Sequence, residues 1–217
     1  MQNSNRTSTE KYISKTFNGQ SKHFDKSDTN GLSKTAIHHI DQISQDQSLE
    51  TAIDVGSGTG GILEGLLDHN LSFVYGVDLA PNMIELAQKR LEQKGYLNKS
   101  KIENISFLDY SFEKNIDAIS LHRVLCCHPD RVGMLQKAIS AKPKLIVITI
   151  PRRWFFLRIG IIIASALRKI KKGFRPYLHK YNEIDSQLKQ ANYQLIDVFK
   201  TGMWITRTYK LQPNHLN

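Results

Sequence analysis

The segment Ala52-Ile53-Asp54-Val55-Gly56-Ser57-Gly58-Thr59-Gly60-Gly61 is an apolar run that enters a glycine-rich turn and then opens a helical pattern. Glycines in such a turn let the backbone approach a ligand closely and take positive φ, which implies a nucleotide-like cofactor. Gly56, Gly58 and Gly61 also satisfy the dinucleotide fingerprint, so glycine spacing alone leaves a nicotinamide cofactor open. Asp54 stands two residues before the leading glycine, where a carboxylate suits a ligand bearing an ammonium and repels a pyrophosphate. Asp78 ends the apolar run Phe73–Val77 and could accept hydrogen bonds from both hydroxyls of a ribose.

His122 follows the fourth apolar run. It is the candidate catalytic base if an acceptor brings a hydroxyl or protonated amine, and otherwise a histidine that packs beside the cofactor. Adjacent Cys126 and Cys127, followed by His128, make a poor chelate for one tetrahedral ion, and no second ligand pair follows. They are expected to be an inert thiol pair at the rim of a site, with no metal. His179, in Arg175-Pro176-Tyr177-Leu178-His179, is either a residue reaching the acceptor from the opposite wall or part of a surface loop. His38 and His39 read as solvated or capping the side of the first helix.

Positioning these residues at one edge requires parallel strands joined by crossover helices, and the sequence from Thr51 onward alternates in that way. Strands are expected at 52–55, Phe73–Val77, 105–108, 116–121 and 145–150, several of them apolar on both faces as a buried parallel sheet requires. Helices are expected at Gly61–Asp68, 82–94 and 130–141, with Asp130 as a cap for the last. Residues 193–199 and 203–211 flank Lys200-Thr201-Gly202, a connection too short for parallel neighbours, so the sheet should end mixed. Residues 1–30 are polar and expected to be partly disordered. Leu32, Ala36, Ile37, Ile40 and Ile43 then fall on one helical face.

The chain has 217 residues, 40% apolar and 23% charged, enough for one core without disulfides. A polar start without an apolar centre and only two adjacent cysteines suggest a reduced, cytoplasmic protein. Of the net charge of +10, nine basic residues and no acid fall between Arg152 and Lys180, leaving roughly +1 elsewhere. On a helical wheel this stretch is amphipathic and cationic, and too short to span a bilayer.

The motifs Asp54-Val55-Gly56-Ser57-Gly58-Thr59-Gly60, Gly76-Val77-Asp78-Leu79-Ala80-Pro81-Asn82-Met83 and Phe107-Leu108-Asp109-Tyr110 resemble those of class I S-adenosylmethionine-dependent methyltransferases. The resemblance spans about residues 31–211. Asn30-Gly31-Leu32-Ser33-Lys34-Thr35-Ala36, Leu121-His122-Arg123-Val124-Leu125-Cys126-Cys127-His128-Pro129-Asp130 and Ile150-Pro151-Arg152-Arg153-Trp154 are similar to a bacterial subgroup defined by its domain only. The family implies a Rossmann-like, mostly parallel seven-stranded α/β sheet with one antiparallel strand and helices on both faces.

By resemblance, the turn at Gly56, Gly58 and Gly60 cradles the amino-acid end of S-adenosylmethionine, Asp78 the ribose and Asp109 the adenine amine. The expected cofactor-binding set is Asp54, Gly56, Ser57, Gly58, Thr59, Gly60, Asp78, Leu79, Met83, Asp109, Tyr110 and His122. Acceptor contacts are expected from Arg123, Trp154, Tyr177 and His179. The implied reaction is in-line methyl transfer to a small-molecule or lipid-like acceptor. Residues 152–180 would form a basic helical insertion serving as a lid, with peripheral contact to the inner face of a membrane through 152–172. A nicotinamide-dependent oxidoreductase and a non-catalytic cofactor-binding module at a membrane are the rivals. Nucleic acid is a disfavoured partner, because no Asn/Asp-Pro-Pro-aromatic motif follows the fourth strand.

Overall fold

The computed structural model describes residues 7–29, 31–152 and 177–213. Seven strands form one sheet: β1 (Thr51–Val55), β2 (Phe73–Val77), β3 (Ser100–Glu103), β4 (Ala118–His122), β5 (Leu145–Pro151), β6 (Tyr193–Thr201) and β7 (Trp204–Leu211). Their order is β3-β2-β1-β4-β5-β7-β6. Neighbours pair in parallel except at β7, which is antiparallel to both β5 and β6. The sheet is therefore mixed at its C-terminal edge, as the short connection before β7 demands. Because β2 lies on one side of β1 and β4 on the other, the chain reverses there, and open α/β sheets bind ligands at that crevice.

Seven α-helices are described: α1 (Ser8–Asn18), α2 (Ser21–Thr29), α3 (Lys34–Ser44), α4 (Gly61–Asp68), α5 (Pro81–Gln93), α6 (Arg131–Ser140) and α7 (Tyr181–Gln190). On one face Ala36, Ile40 and Ile43 of α3, Leu63 and Leu66 of α4 and Leu91 of α5 pack with Ala52, Val74 and Val147 of the sheet. On the other, Met134, Leu135 and Ala138 of α6 and Ile184 and Leu188 of α7 cover Ile53, Ile119, Ile146 and Ile148. Strands β1, β4 and β5 are thus apolar on both faces, the pattern of a doubly covered parallel sheet. Asp130 caps α6 through a 2.8 Å bond from the Gly133 N–H to its Oδ1. Asp185 on α7 receives Arg207 of β7 through both carboxylate oxygens and the Tyr209 hydroxyl besides.

The expectations for the third strand, for Ile37 and for His38 and His39 are corrected. The third strand is Ser100–Glu103, and residues 105–108 instead form the turn after it. The strand is at the sheet edge and half-exposed, so it needs no apolar run, while the apolar run packs Phe107 into the core. Ile37 is 44% exposed, and the buried stripe of α3 is Ala36, His39, Ile40 and Ile43. His39 is consequently a core residue, and His38 is no solvated side chain either. Its Nε2 lies 2.8 Å from Asp197, and its ring stacks on Phe199 at 4.4 Å. Within the polar N-terminal stretch, residues 8–29 fold as α1 and α2.

Candidate active site

The turn after β1 is stitched to the end of β2, since the N–H groups of Gly56 and Ser57 both donate to the Val77 carbonyl, at 2.8 and 3.1 Å. Gly56 and Gly58 hold φ of +70° and +53°, the left-handed region that favours glycine. A Cβ at Gly56 would come within 2.9 Å of Val124 Cγ2, whereas one at Gly58 would meet nothing within 4 Å. Gly58 therefore leaves its side of the turn open to a ligand. Asp78 is set by this turn: its Oδ2 accepts the Gly58 N–H at 3.0 Å and its Oδ1 the Ala80 N–H at 2.8 Å. A carboxylate oxygen can accept more than one hydrogen bond, so vicinal hydroxyls fit the same acid without undoing the turn. Ser57 Oγ is buried and has no hydrogen-bond partner among the described residues.

A cavity of about 600 Å3 opens at the C-terminal ends of β1, β2 and β4. Asp54, Gly56, Ser57, Gly58, Thr59, Asp78, Leu79, Met83, His122 and Arg123 all line it, so the structure brings these sequence candidates together. Gly60 faces Ala87 of α5, where a Cβ would approach to 3.0 Å. Asp109 is exposed and Tyr110 turns into the core, and neither is part of the lining. Ile105, Ser106, Phe107 and Leu108 line the cavity in their place. Tyr177 and His179 brace the turn after β4 from behind: the Tyr177 N–H donates to the Cys126 carbonyl at 2.7 Å, and His179 Nε2 is 2.9 Å from the Leu125 carbonyl. Trp154 and nearly all of the basic stretch 152–172 lie outside the described residues.

Below the cavity floor runs a line of buried polar side chains. Asp54 Oδ1 accepts the Ser120 hydroxyl at 2.6 Å, and Ser120 Oγ lies 2.9 Å from His39 Nδ1. His39 Nε2 is 2.7 Å from Thr149 Oγ1, which is 2.7 Å from Thr206 Oγ1. Burial, reinforced by the positive charge of Arg123, pushes the His39 pKa well below the ordinary imidazole value. His122 beside it is pushed down to about 3 by burial and by Arg123. Its Nε2 contacts Thr35 Oγ1 at 2.9 Å, and that hydroxyl also accepts from Arg123 at 2.8 Å. The Arg123 guanidinium lies over the Trp204 ring at 4.4 Å, a cation–π contact that fixes a cation at the rim. Arg123 itself holds φ of +57°.

The N-terminal helices contribute site residues to which none of the sequence motifs points. Ile13, Phe17 and Phe24 line the cavity, and so does the buried carboxylate of Glu10. Burial would raise the Glu10 pKa, but hydrogen bonds from Ser106 and Thr7 outweigh it and hold the acid below its ordinary value. Ser14 Oγ donates to the Leu79 carbonyl at 2.6 Å, tying α1 to the turn that follows Asp78. The spacing of Thr7 and Glu10 is that of a capping box and could have signalled α1, whereas nothing local signals the partner Ser106. Cys126 and Cys127 are free thiols 3.9 Å apart at the cavity wall. Among the described residues no metal-ligating cluster of three or more side chains gathers, and no helix is long and apolar enough to cross a membrane.

Residues 53–141 match the family model described as a methyltransferase domain. No curated protein matches the chain. Among solved structures, the magnesium protoporphyrin IX methyltransferase of Synechocystis PCC 6803 with bound S-adenosylmethionine is similar in fold at 15% identity. The match covers 94% of this chain and 97% of that one, with a TM-score of 0.70. An O-methyltransferase family protein from Burkholderia thailandensis matches at 17% identity over 83% of this chain and 57% of that one, TM-score 0.64. The O-methyltransferase NcsB1 from neocarzinostatin biosynthesis, solved with S-adenosylmethionine and 2-hydroxy-5-methyl naphthoic acid, matches at 18% identity. It covers 81% of this chain and 55% of that one, TM-score 0.57.

Proposed function

We propose that this chain, which carries a class I S-adenosylmethionine-dependent methyltransferase domain, methylates an apolar small-molecule or lipid-like acceptor held between the cofactor and the N-terminal helices. The observation that carries the reading is the pair Asp54 and Asp78 on opposite flanks of an open glycine turn, both lining one cavity. On this reading Asp54 receives the ammonium, Asp78 the ribose hydroxyls, and the buried Ser57 hydroxyl a polar atom of the amino-acid end. When bound, the cofactor supplies a methyl group on an electrophilic sulfonium, so the chain's own task is alignment and exclusion of water.

Ile13, Phe17 and Phe24 give an apolar wall on one side, and Met203 and Trp204 another. An acceptor with an apolar body fits these walls, and Arg123 gives its polar end a fixed cation. Arg123 and Trp204 are our candidates for acceptor contact. His122 is a weak base at a pKa of about 3, so we assign it to hydrogen bonding beside the reacting groups instead of proton abstraction. The solved structures with porphyrin-methylating activity and a bound naphthoic acid support an acceptor of this apolar kind. The basic stretch 152–172 follows β5 in sequence, and the last residue of that strand, Pro151, lines the cavity. This supports delivery of a membrane-dissolved acceptor from an anionic surface.

Incubation with isotopically methyl-labelled S-adenosylmethionine and fractionated cell extract tests the reading. Label is expected in an organic-soluble product, and label confined to protein or nucleic acid would overturn the acceptor class.

A further inference from the structure

We propose that His39 and Ser120 are positioning residues for cofactor binding. Together with Thr149 and Thr206 they form an oriented hydrogen-bond chain that ends on Asp54 and fixes the plane of its carboxylate before the ammonium arrives. This rests on the reading of Asp54 as the ammonium acceptor.

The direction of the chain follows from counting protons. An ionised Asp54 can only accept, so Ser120 spends its single hydroxyl proton on Oδ1 at 2.6 Å. Ser120 Oγ must then accept from His39, which places the proton of that ring on Nδ1. A neutral imidazole has one N–H, so Nε2 is an acceptor and Thr149 donates to it at 2.7 Å. Thr149 in turn accepts from Thr206. Every donor therefore points toward Asp54, and each link is satisfied only in that one sense. His39 is neutral because it is buried and faced by positive charge, which supports the single tautomer.

The cost of this arrangement argues for a purpose. His39, Ser120, Thr149 and Thr206 have no exposed surface, and Asp54 has 2%. Polar groups in an apolar sheet are costly unless each finds its partner, and an apolar side chain would fill any of these places without that demand. Their register makes the chain possible: Asp54 lies opposite Ser120 on β1 and β4, and Thr149 opposite Thr206 on β5 and β7. His39 of α3 bridges the two pairs. Three strands and a helix thus support one carboxylate oxygen carried by β1, and an acid held in this way loses little freedom when a ligand binds.

The test uses calorimetry of the full chain with S-adenosylhomocysteine, which carries the ammonium, and with 5′-methylthioadenosine, which lacks the entire amino-acid end. Ser120→Ala and His39→Leu are expected to weaken S-adenosylhomocysteine by about fivefold or more while leaving methylthioadenosine within about twofold. His39→Asn keeps an N–H near the place of Nδ1 and is expected to retain most of the affinity. A purely structural role predicts the reverse order for the two His39 variants, because leucine preserves volume better, and it predicts equal losses for both ligands. Either result overturns the proposal. Should His39→Leu not fold, Ser120→Ala, which removes one oxygen, still decides between them. If the unaltered chain shows no preference for S-adenosylhomocysteine over methylthioadenosine, the ammonium reading of Asp54 fails first and takes this inference with it.

Discussion

The Ser106 hydroxyl donates to the carboxylate of Glu10 across 96 positions of sequence, joining the turn after β3 to the helix that roofs the cavity. His128 approaches the same acid, its Nε2 3.8 Å from Oε1, while its Nδ1 accepts the Asp130 N–H and so leaves the ring proton on the side of Glu10. One buried carboxylate therefore gathers α1, the turn after β3 and the turn after β4 around the cavity.

This contact has a pH signature. Hydrogen bonding holds the Glu10 pKa below 4.5 despite burial, so its stabilising contribution is complete above that value and fades as pH falls through the folded-state pKa. The melting temperature of the native chain should exceed that of Glu10→Gln near neutral pH, and the gap should shrink as the solution is acidified below about pH 4.5. Melting curves across that range check it. A constant gap would show that Glu10 is not held as an ionised acid.

Asp78→Ala should weaken S-adenosylhomocysteine by roughly 1.5 to 3 kcal/mol, the range for hydrogen bonds to a charged group. The same change frees the N–H groups of Gly58 and Ala80, so some stability should be lost with it. Calorimetry beside a denaturant titration separates the two effects. Unaltered affinity would remove the acid from the ribose.

Gly56→Ala and Gly58→Ala should differ. Both place a side chain at positive φ, which costs on the order of 1 to 2 kcal/mol. At Gly56 the new methyl also presses on Val124, while at Gly58 it has open space. Urea denaturation should therefore rank Gly56→Ala as the less stable, and binding assays should find both impaired.

His122→Asn should leave the rate within about tenfold of the native enzyme, and the rate should show no inflection traceable to this histidine between pH 5 and 8, since burial and Arg123 hold it near 3. A loss of a hundredfold or more, the scale of general base catalysis, would return His122 to that role.

What could be read from the sequence was local. The glycine turn, the acids at 54 and 78 and the Asp130 cap declare themselves within a few residues, because one turn type or one cap bond dictates each of them. The edge strand β3 did not, since a half-exposed edge strand carries no apolar run, and the run at 105–108 belongs to a turn that packs Phe107 inward. His39 held a legible signal that was missed: it lies three residues after Ala36 and four before Ile43, on the buried stripe of α3. Its partners, however, depend on which strands become neighbours. Thr149 is the single polar residue of β5, Ser120 lies between apolar residues of β4 and Thr206 is one of several polar residues of β7, and only the order β4-β5-β7 aligns them beneath one helix. Glu10 and Ser106 were out of reach for the same reason.

The position of β7 has a consequence for synthesis. It follows β6 in sequence yet lies between β5 and β6, so β6 has no sheet neighbour until β7 has left the ribosome and slotted in. Thr206, the far link of the line that reaches Asp54, arrives with it. A polypeptide released before that strand would carry the complete glycine turn and both acids yet lack the finished support beneath one of them. Among the described residues, the line of hydroxyls beneath Asp54 is thus complete only once β7 has taken its place between β5 and β6.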